Sequence, residues 1–217
     1  MFNRGIFLKN KLRVKGQTAY TLIPVLYMLV ITAMGFYFIR LNSMGRLSIS
    51  KVTMIQFLQL FAPYISLFWI LPIQEERIYP GWSELFLCYE KGVLGDIVIR
   101  NVIYGVMLIF PIMIFSRCYG SMAKTYFELL LLMILFQGVG LWVLTCSKTM
   151  ITAFLALFLY ICLSLFLLAQ PEMPFIKGYI VHSDISFFQF LVQNGIKVIA
   201  GLILGLCALF GKRKNVY

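Results

Sequence analysis

Side chains able to do chemistry are sparse in this chain, and their spacing decides which chemistry is open to it. There is one histidine, His182, and no second imidazole or nearby thiol stands where it would complete a metal site or a Cys/His nucleophile pair. As an isolated loop residue, His182 reads as polar surface. Glu75 and Glu76 are adjacent carboxylates, but no histidines follow on later apolar segments to share a metal with them. No glycine-rich loop ending in Lys and Ser or Thr occurs, so the chain does not bind ATP by that route. What it does carry is a polar stripe. Gln189, Gln193 and Lys197 recur every four residues, with Asn194 beside them, and that spacing puts the three on one face of a helix. Gln56, Gln59 and Gln137 are further amides set in apolar runs. Such groups break no bonds by themselves; in a membrane they line a path or tie helices together. No enzyme activity is expected of the chain.

The elements that hold these residues follow from composition. Of 217 residues, 61% are hydrophobic and only 12% charged, and the mean hydropathy is +0.91, more apolar than one soluble core of this size accommodates. Lipid is the implied solvent. Apolar runs of about 20 residues match a hydrocarbon slab about 30 Å thick, because a helix satisfies its own backbone and rises about 1.5 Å per residue. Six runs are present, at about 20–39, 52–73, 97–116, 129–147, 149–170 and 189–210. The expected fold is all-α: one polytopic transmembrane domain over 1–217, with six spans. Residues 1–19 mix apolar and basic side chains, as in a helix lying in the headgroup region, and a solvated basic tail is the alternative reading. Arg100 is expected to snorkel from the third span toward the headgroups. Lys197 either faces a substrate path or snorkels outward.

Charge sets the orientation. With a cytoplasmic amino terminus, twelve basic residues fall inside and six outside, Lys197 lying within the sixth span, so both termini are expected in the cytoplasm of a plasma-membrane protein. The net charge of +11 therefore points to anionic headgroups, not to nucleic acid. Cys88, Cys146, Cys162 and Cys207 fall in membrane or cytoplasmic segments and Cys118 near the outer face, so no disulfide framework is implied. Between the fourth and fifth spans only the region of Lys148 intervenes, which predicts a tight helical hairpin. Residues 74–96 form a longer cytoplasmic segment. Pro80 and Gly81 supply a turn there, Ser83 and Gly92 bound a short helix, and Asp96 caps the third span. Gly201 and Gly205 form a small-xxx-small pair in the sixth span.

This layout resembles the type 2 ABC exporter permeases. The resemblance is concentrated in residues 74–104, QEERIYPGWSELFLCYEKGVLGDIVIRNVIY: an acidic close to span two, a glycine, a short amphipathic helix, Lys-Gly, and a basic residue entering span three. It implies an amino-terminal interfacial helix and a coupling helix between spans two and three. Glu75, Glu76, Trp82, Glu84, Leu85, Phe86, Tyr89 and Lys91 would then meet a cytosolic ATPase. It also implies a second permease subunit, identical or related, and two separate ATPase subunits that carry the ATP and Mg, this chain holding no cofactor. The translocation path would draw on Gln56, Gln59, Gln137, Gln189, Gln193 and Lys197. The short outer loops depart from the family pattern and argue against a cargo needing a large outer vestibule. The rival readings are the substrate-capturing membrane subunit of a vitamin uptake transporter and a membrane enzyme.

Overall fold

The computed structural model describes residues 4–46, 49–78, 93–168 and 186–210. These form six helices: α1 (Arg4–Ser43), α2 (Lys51–Ile78), α3 (Val93–Tyr119), α4 (Ala123–Ser147), α5 (Met150–Leu168) and α6 (Phe187–Phe210). Among the described residues there is no strand. Within α1 to α4, the stretches Leu22–Ser43, Lys51–Pro72, Gly95–Tyr119 and Ala123–Ser147 are long and apolar enough to cross a membrane, whereas Met150–Ser164 and Asn194–Phe210 are shorter apolar helices. A membrane protein is what such helices make, since 22 residues of helix reach about 33 Å.

The helices outrun the apolar runs that announce them. α2 continues through Ile78 because Gln, Glu and Arg are good helix formers once the chain leaves lipid. α4 begins at Ala123 rather than near 129. Asp96, expected as a cap, lies inside the first turn of α3, where a carboxylate still favours the positive end of the helix dipole. The basic amino-terminal stretch is helical but continuous with the first span, with no break near residue 19. Pro24, Pro63, Pro72 and Pro111 all sit inside helices.

Turns are set by local chemistry. After α1, Gly45 has φ of +64°, and the amides of Gly45 and Arg46 donate to the carbonyls of Asn42 and Leu41 at 3.0 and 2.9 Å, a Schellman closure that suits a residue without Cβ. Ser50 then caps α2, its Oγ accepting from the Thr53 amide at 3.1 Å. This turn meets the α3–α4 turn, where Lys51 donates to the Ser121 carbonyl at 3.5 Å and Tyr119 to that of Ile49 at 3.2 Å. The α4–α5 hairpin is as tight as expected, with Lys148 in the left-handed region and its amide donating to Leu144 at 2.8 Å.

α4 is the central helix. It packs against α2, α3, α5 and α6, while among the described helices α1 packs on α2 and α3 alone. Four consecutive residues, Leu135, Phe136, Gln137 and Gly138, are all buried, as on a helix surrounded on every side. One core gathers Ile31, Leu58, Tyr104 and Phe115 from the first three helices; another gathers Leu67, Phe136, Leu157 and Val198 around α4. The outward faces are apolar instead, with Val106, Met113, Leu159 and Ile196 all exposed. In lipid such faces cost nothing, so dispersion and hydrogen bonds must hold the helices together.

The closest approach is between α4 and α6. A Cβ placed on Gly138 would collide with the backbone of Gly201, and one on Gly201 would lie 2.8 Å from Leu135 Cα. A Cβ on Gly205 would lie 3.1 Å from Gly138 Cα. The small-xxx-small pair thus serves the contact that its spacing suggests.

Candidate functional site

Polar side chains in lipid must find partners, and those of α2, α3 and α4 find one another in three tiers. At the end bearing the α3–α4 turn, Glu128 is buried with only 2% of its surface exposed, and Gln59 is fully buried. Gln59 Nε2 donates to Glu128 Oε2 at 3.1 Å, and Lys124 Nζ stands 3.5 Å from Glu128 Oε1. Lys124 and Glu128 are one helical turn apart, which brings them to the same face.

The middle tier is neutral. Asn101 Nδ2 donates to Gln137 Oε1 at 2.8 Å, and Gln137 Nε2 returns the bond to Asn101 Oδ1 at 2.7 Å. The second Gln137 proton goes to Ser66 Oγ at 3.0 Å, and Ser66 donates to the Pro63 carbonyl at 2.7 Å. Three helices are joined with both amide donors of Gln137 used. Nearby, Tyr104 donates to the Ala62 carbonyl at 2.8 Å and Tyr126 to that of Gly105 at 3.2 Å.

The third tier is basic. Arg100 is half-buried, and its Nη1 donates to the Trp69 carbonyl at 2.9 Å, so it turns into the bundle instead of only snorkelling outward. Close to the carboxyl ends of α2 and α6, Gln74 donates to the Ala208 carbonyl at 3.3 Å. A groove of about 420 Å³ opens between α3 and α4. Asn101, Gln137 and Tyr126 lie in its lining among Val98, Val102 and Ile134, which puts the middle tier within reach of a molecule entering from the side.

No family model matches the chain, and no curated protein or solved structure is similar to it.

The residues expected to form one path divide into two groups. Gln59 and Gln137 belong to the ladder; Gln56 is half-buried on α2 and stands outside it. Lys197 is half-buried on the other side of α4, in a cleft beside α5. Gln189 and Gln193 lie on the first turns of α6, and their side chains are outside the described residues. Of the coupling residues, Glu75 is half-buried near the end of α2 and Glu76 is on the same helix. Trp82, Glu84, Leu85, Phe86, Tyr89 and Lys91 lie outside the described residues. Ser66, Asn101, Arg100 and Glu128 are the site residues that spacing alone did not single out. For Glu128 a signal existed, since it is flanked by Phe127 and the run from Leu129, with Lys124 four residues earlier. Among the described residues no group of three His, Cys, Asp or Glu side chains could hold a metal, and Cys118, Cys146, Cys162 and Cys207 are free thiols.

Proposed function

We propose that the chain is the membrane-spanning permease subunit of an ATP-driven exporter, energised by separate cytosolic ATPase subunits. In this reading all six helices span the plasma membrane, both termini are cytoplasmic, and the cytoplasmic segment 74–96 supplies, over Trp82 to Lys91, the coupling helix that the ATPase pushes. The observation that carries it is the polar ladder from Glu128 and Gln59 through Gln137 and Asn101 to Arg100. Polar and charged groups at membrane depth are costly and mark routes for substrates. The α3–α4 groove supports a second permease subunit, because a groove with a polar floor becomes a closed path once another apolar wall covers it. Mostly apolar walls with a few neutral amides suit amphipathic, peptide-like or drug-like cargo. ATP and Mg belong to the partner.

Mechanically, closure of the ATPase dimer would displace the segment joining α2 to α3 and switch two packings of the bundle. Trp82, Leu85, Phe86 and Tyr89 supply apolar anchors for that contact, and truncating one buried aromatic anchor typically costs about 2 kcal/mol or more. The test is co-purification from the native host. An ATP-binding-cassette subunit should come with the tagged wild-type chain and be lost with Leu85→Asp combined with Phe86→Ala, at normal membrane insertion. No such subunit on the wild type defeats the permease reading; retention by the double variant moves the coupling contact elsewhere.

A further inference from the structure

The amide pair on the floor of the α3–α4 groove is not saturated. Gln137 uses both of its Nε2 protons, on Asn101 Oδ1 and Ser66 Oγ, whereas Asn101 uses one of its two, on Gln137 Oε1. One N–H of Asn101 and second lone pairs on Asn101 Oδ1 and Gln137 Oε1 are left over, and both residues line the groove. Depth decides what can meet these groups. Gln137 lies ten residues before Ser147 and fourteen after Ala123, the two ends of α4, so about 15 Å and about 21 Å of helix separate it from them. In a helix crossing a hydrocarbon layer about 30 Å thick, that is near the midplane. Phospholipid esters and phosphates stay at the surface, and an acyl chain carries neither donor nor acceptor. Along α4 the groove runs from Tyr126 to Gln137, eleven residues or about 16 Å, and its volume of about 420 Å³ is within the range of small-molecule sites. Val102 and Val106 stand exposed on its α3 rim and Ile134 on its α4 rim, so it opens sideways, toward lipid.

We infer that this groove binds an elongated apolar molecule carrying a secondary amide, the group found in a fatty amide or in the backbone of an apolar peptide. The ligand carbonyl accepts the spare N–H of Asn101, and the ligand N–H donates to Gln137 Oε1 or Asn101 Oδ1, which adds one more rung to the ladder. A hydrocarbon would leave the Asn101 donor unmet at a depth without water. An ester would meet that donor but offer nothing to the spare acceptors. As cargo, such a molecule rests on the exporter reading above; its binding to the chain alone does not.

The test is photolabelling of the full chain in phosphatidylcholine liposomes without any ATPase. The probes are N-hexylhexanamide with a terminal diazirine and the matching ester, hexyl hexanoate, at equal concentration in the bilayer. The amide should label groove residues, mapped by peptide mass spectrometry, about fivefold more than the ester, the scale of one hydrogen bond. Excess unlabelled N-hexylhexanamide or N-acetyl-leucyl-leucine N-methylamide should displace it, and the stronger competitor tells a fatty amide from a peptide source. Val102→Trp, which fills the groove from its exposed rim, should remove this labelling without lowering the melting temperature, while Ile203→Trp, exposed on α6, should leave it unchanged. Equal labelling by amide and ester, no displacement by either competitor, labelling confined to residues outside the groove, or full labelling of Val102→Trp overturns the inference. An ATPase that fails to co-purify leaves the labelling result standing, so the two readings fail separately.

Discussion

Asn101 and Gln137 hold each other by a reciprocal pair of amide hydrogen bonds, 2.8 and 2.7 Å long, across the α3–α4 contact. Gln137→Leu should then leave the Asn101 amide and the Ser66 hydroxyl without this partner. A loss of about 0.5–2 kcal/mol is expected. Asn101→Leu added to Gln137→Leu should cost less than the sum of the single changes, because the second removes a group the first has stranded. Thermal unfolding in detergent over the full double-mutant cycle measures this; strict additivity would mean that the pair is not coupled.

The ion pair of the first tier is asymmetric. Lys124 keeps 31% of its side chain exposed, whereas Glu128 keeps only 3%. Removing the lysine strands a buried carboxylate, but removing the carboxylate leaves a lysine that water can reach. Lys124→Met should therefore destabilise by more, on the order of 3 kcal/mol, than Glu128→Gln, which retains an acceptor for Gln59. Comparison of their unfolding midpoints decides it, and the reverse order would show that Lys124 does not compensate the charge.

Glycines in the bundle should differ sharply in tolerance. Gly138→Ala puts a methyl into the Gly201 backbone, while Gly195→Ala meets nothing within 4 Å. Gly138→Ala should separate α6 from α4 and expose the carboxy-terminal helix to limited proteolysis. Gly195→Ala should behave as wild type, or gain a few tenths of a kcal/mol from helix propensity. Equal protease sensitivity in the two variants would contradict the α4–α6 contact.

Orientation is open to direct measurement. Ser121 and Ser147 lie at opposite ends of α4 and both are exposed. In a background lacking native cysteines, Ser121→Cys should react with an impermeant maleimide on intact cells, and Ser147→Cys only after permeabilisation. The opposite pattern would invert the topology that the basic residues imply.

The apolar runs made the helices legible, because hydropathy reports directly on the bilayer as solvent. Their ends were less so: nothing in hydropathy stops α2 at residue 73 or starts α4 at 129, and polar residues with good helix propensity extend both. Gln59 and Gln137 stood out as amides in apolar sequence, yet their partners did not, since Glu128, Asn101 and Ser66 are 69, 36 and 71 residues away from them. Pairing across helices depends on rotation and depth, which one-dimensional spacing does not contain. Arg100 shows the same limit: its position near a span end suggested the headgroups, whereas the nearby Trp69 carbonyl drew it inward.

The order of the ladder along the chain also bears on how the protein enters the membrane. Gln59, Ser66, Arg100 and Asn101 all precede the amide and the acid of α4, so when Glu128 and Gln137 leave the ribosome their partners have already been synthesised. A translocon releasing α4 laterally can hand it straight to α2 and α3, and its polar groups need never sit alone in hydrocarbon. Truncation after α3 would reverse the situation, leaving Gln59, Ser66 and Asn101 facing lipid or the channel, a species that membrane quality control is equipped to retain and degrade.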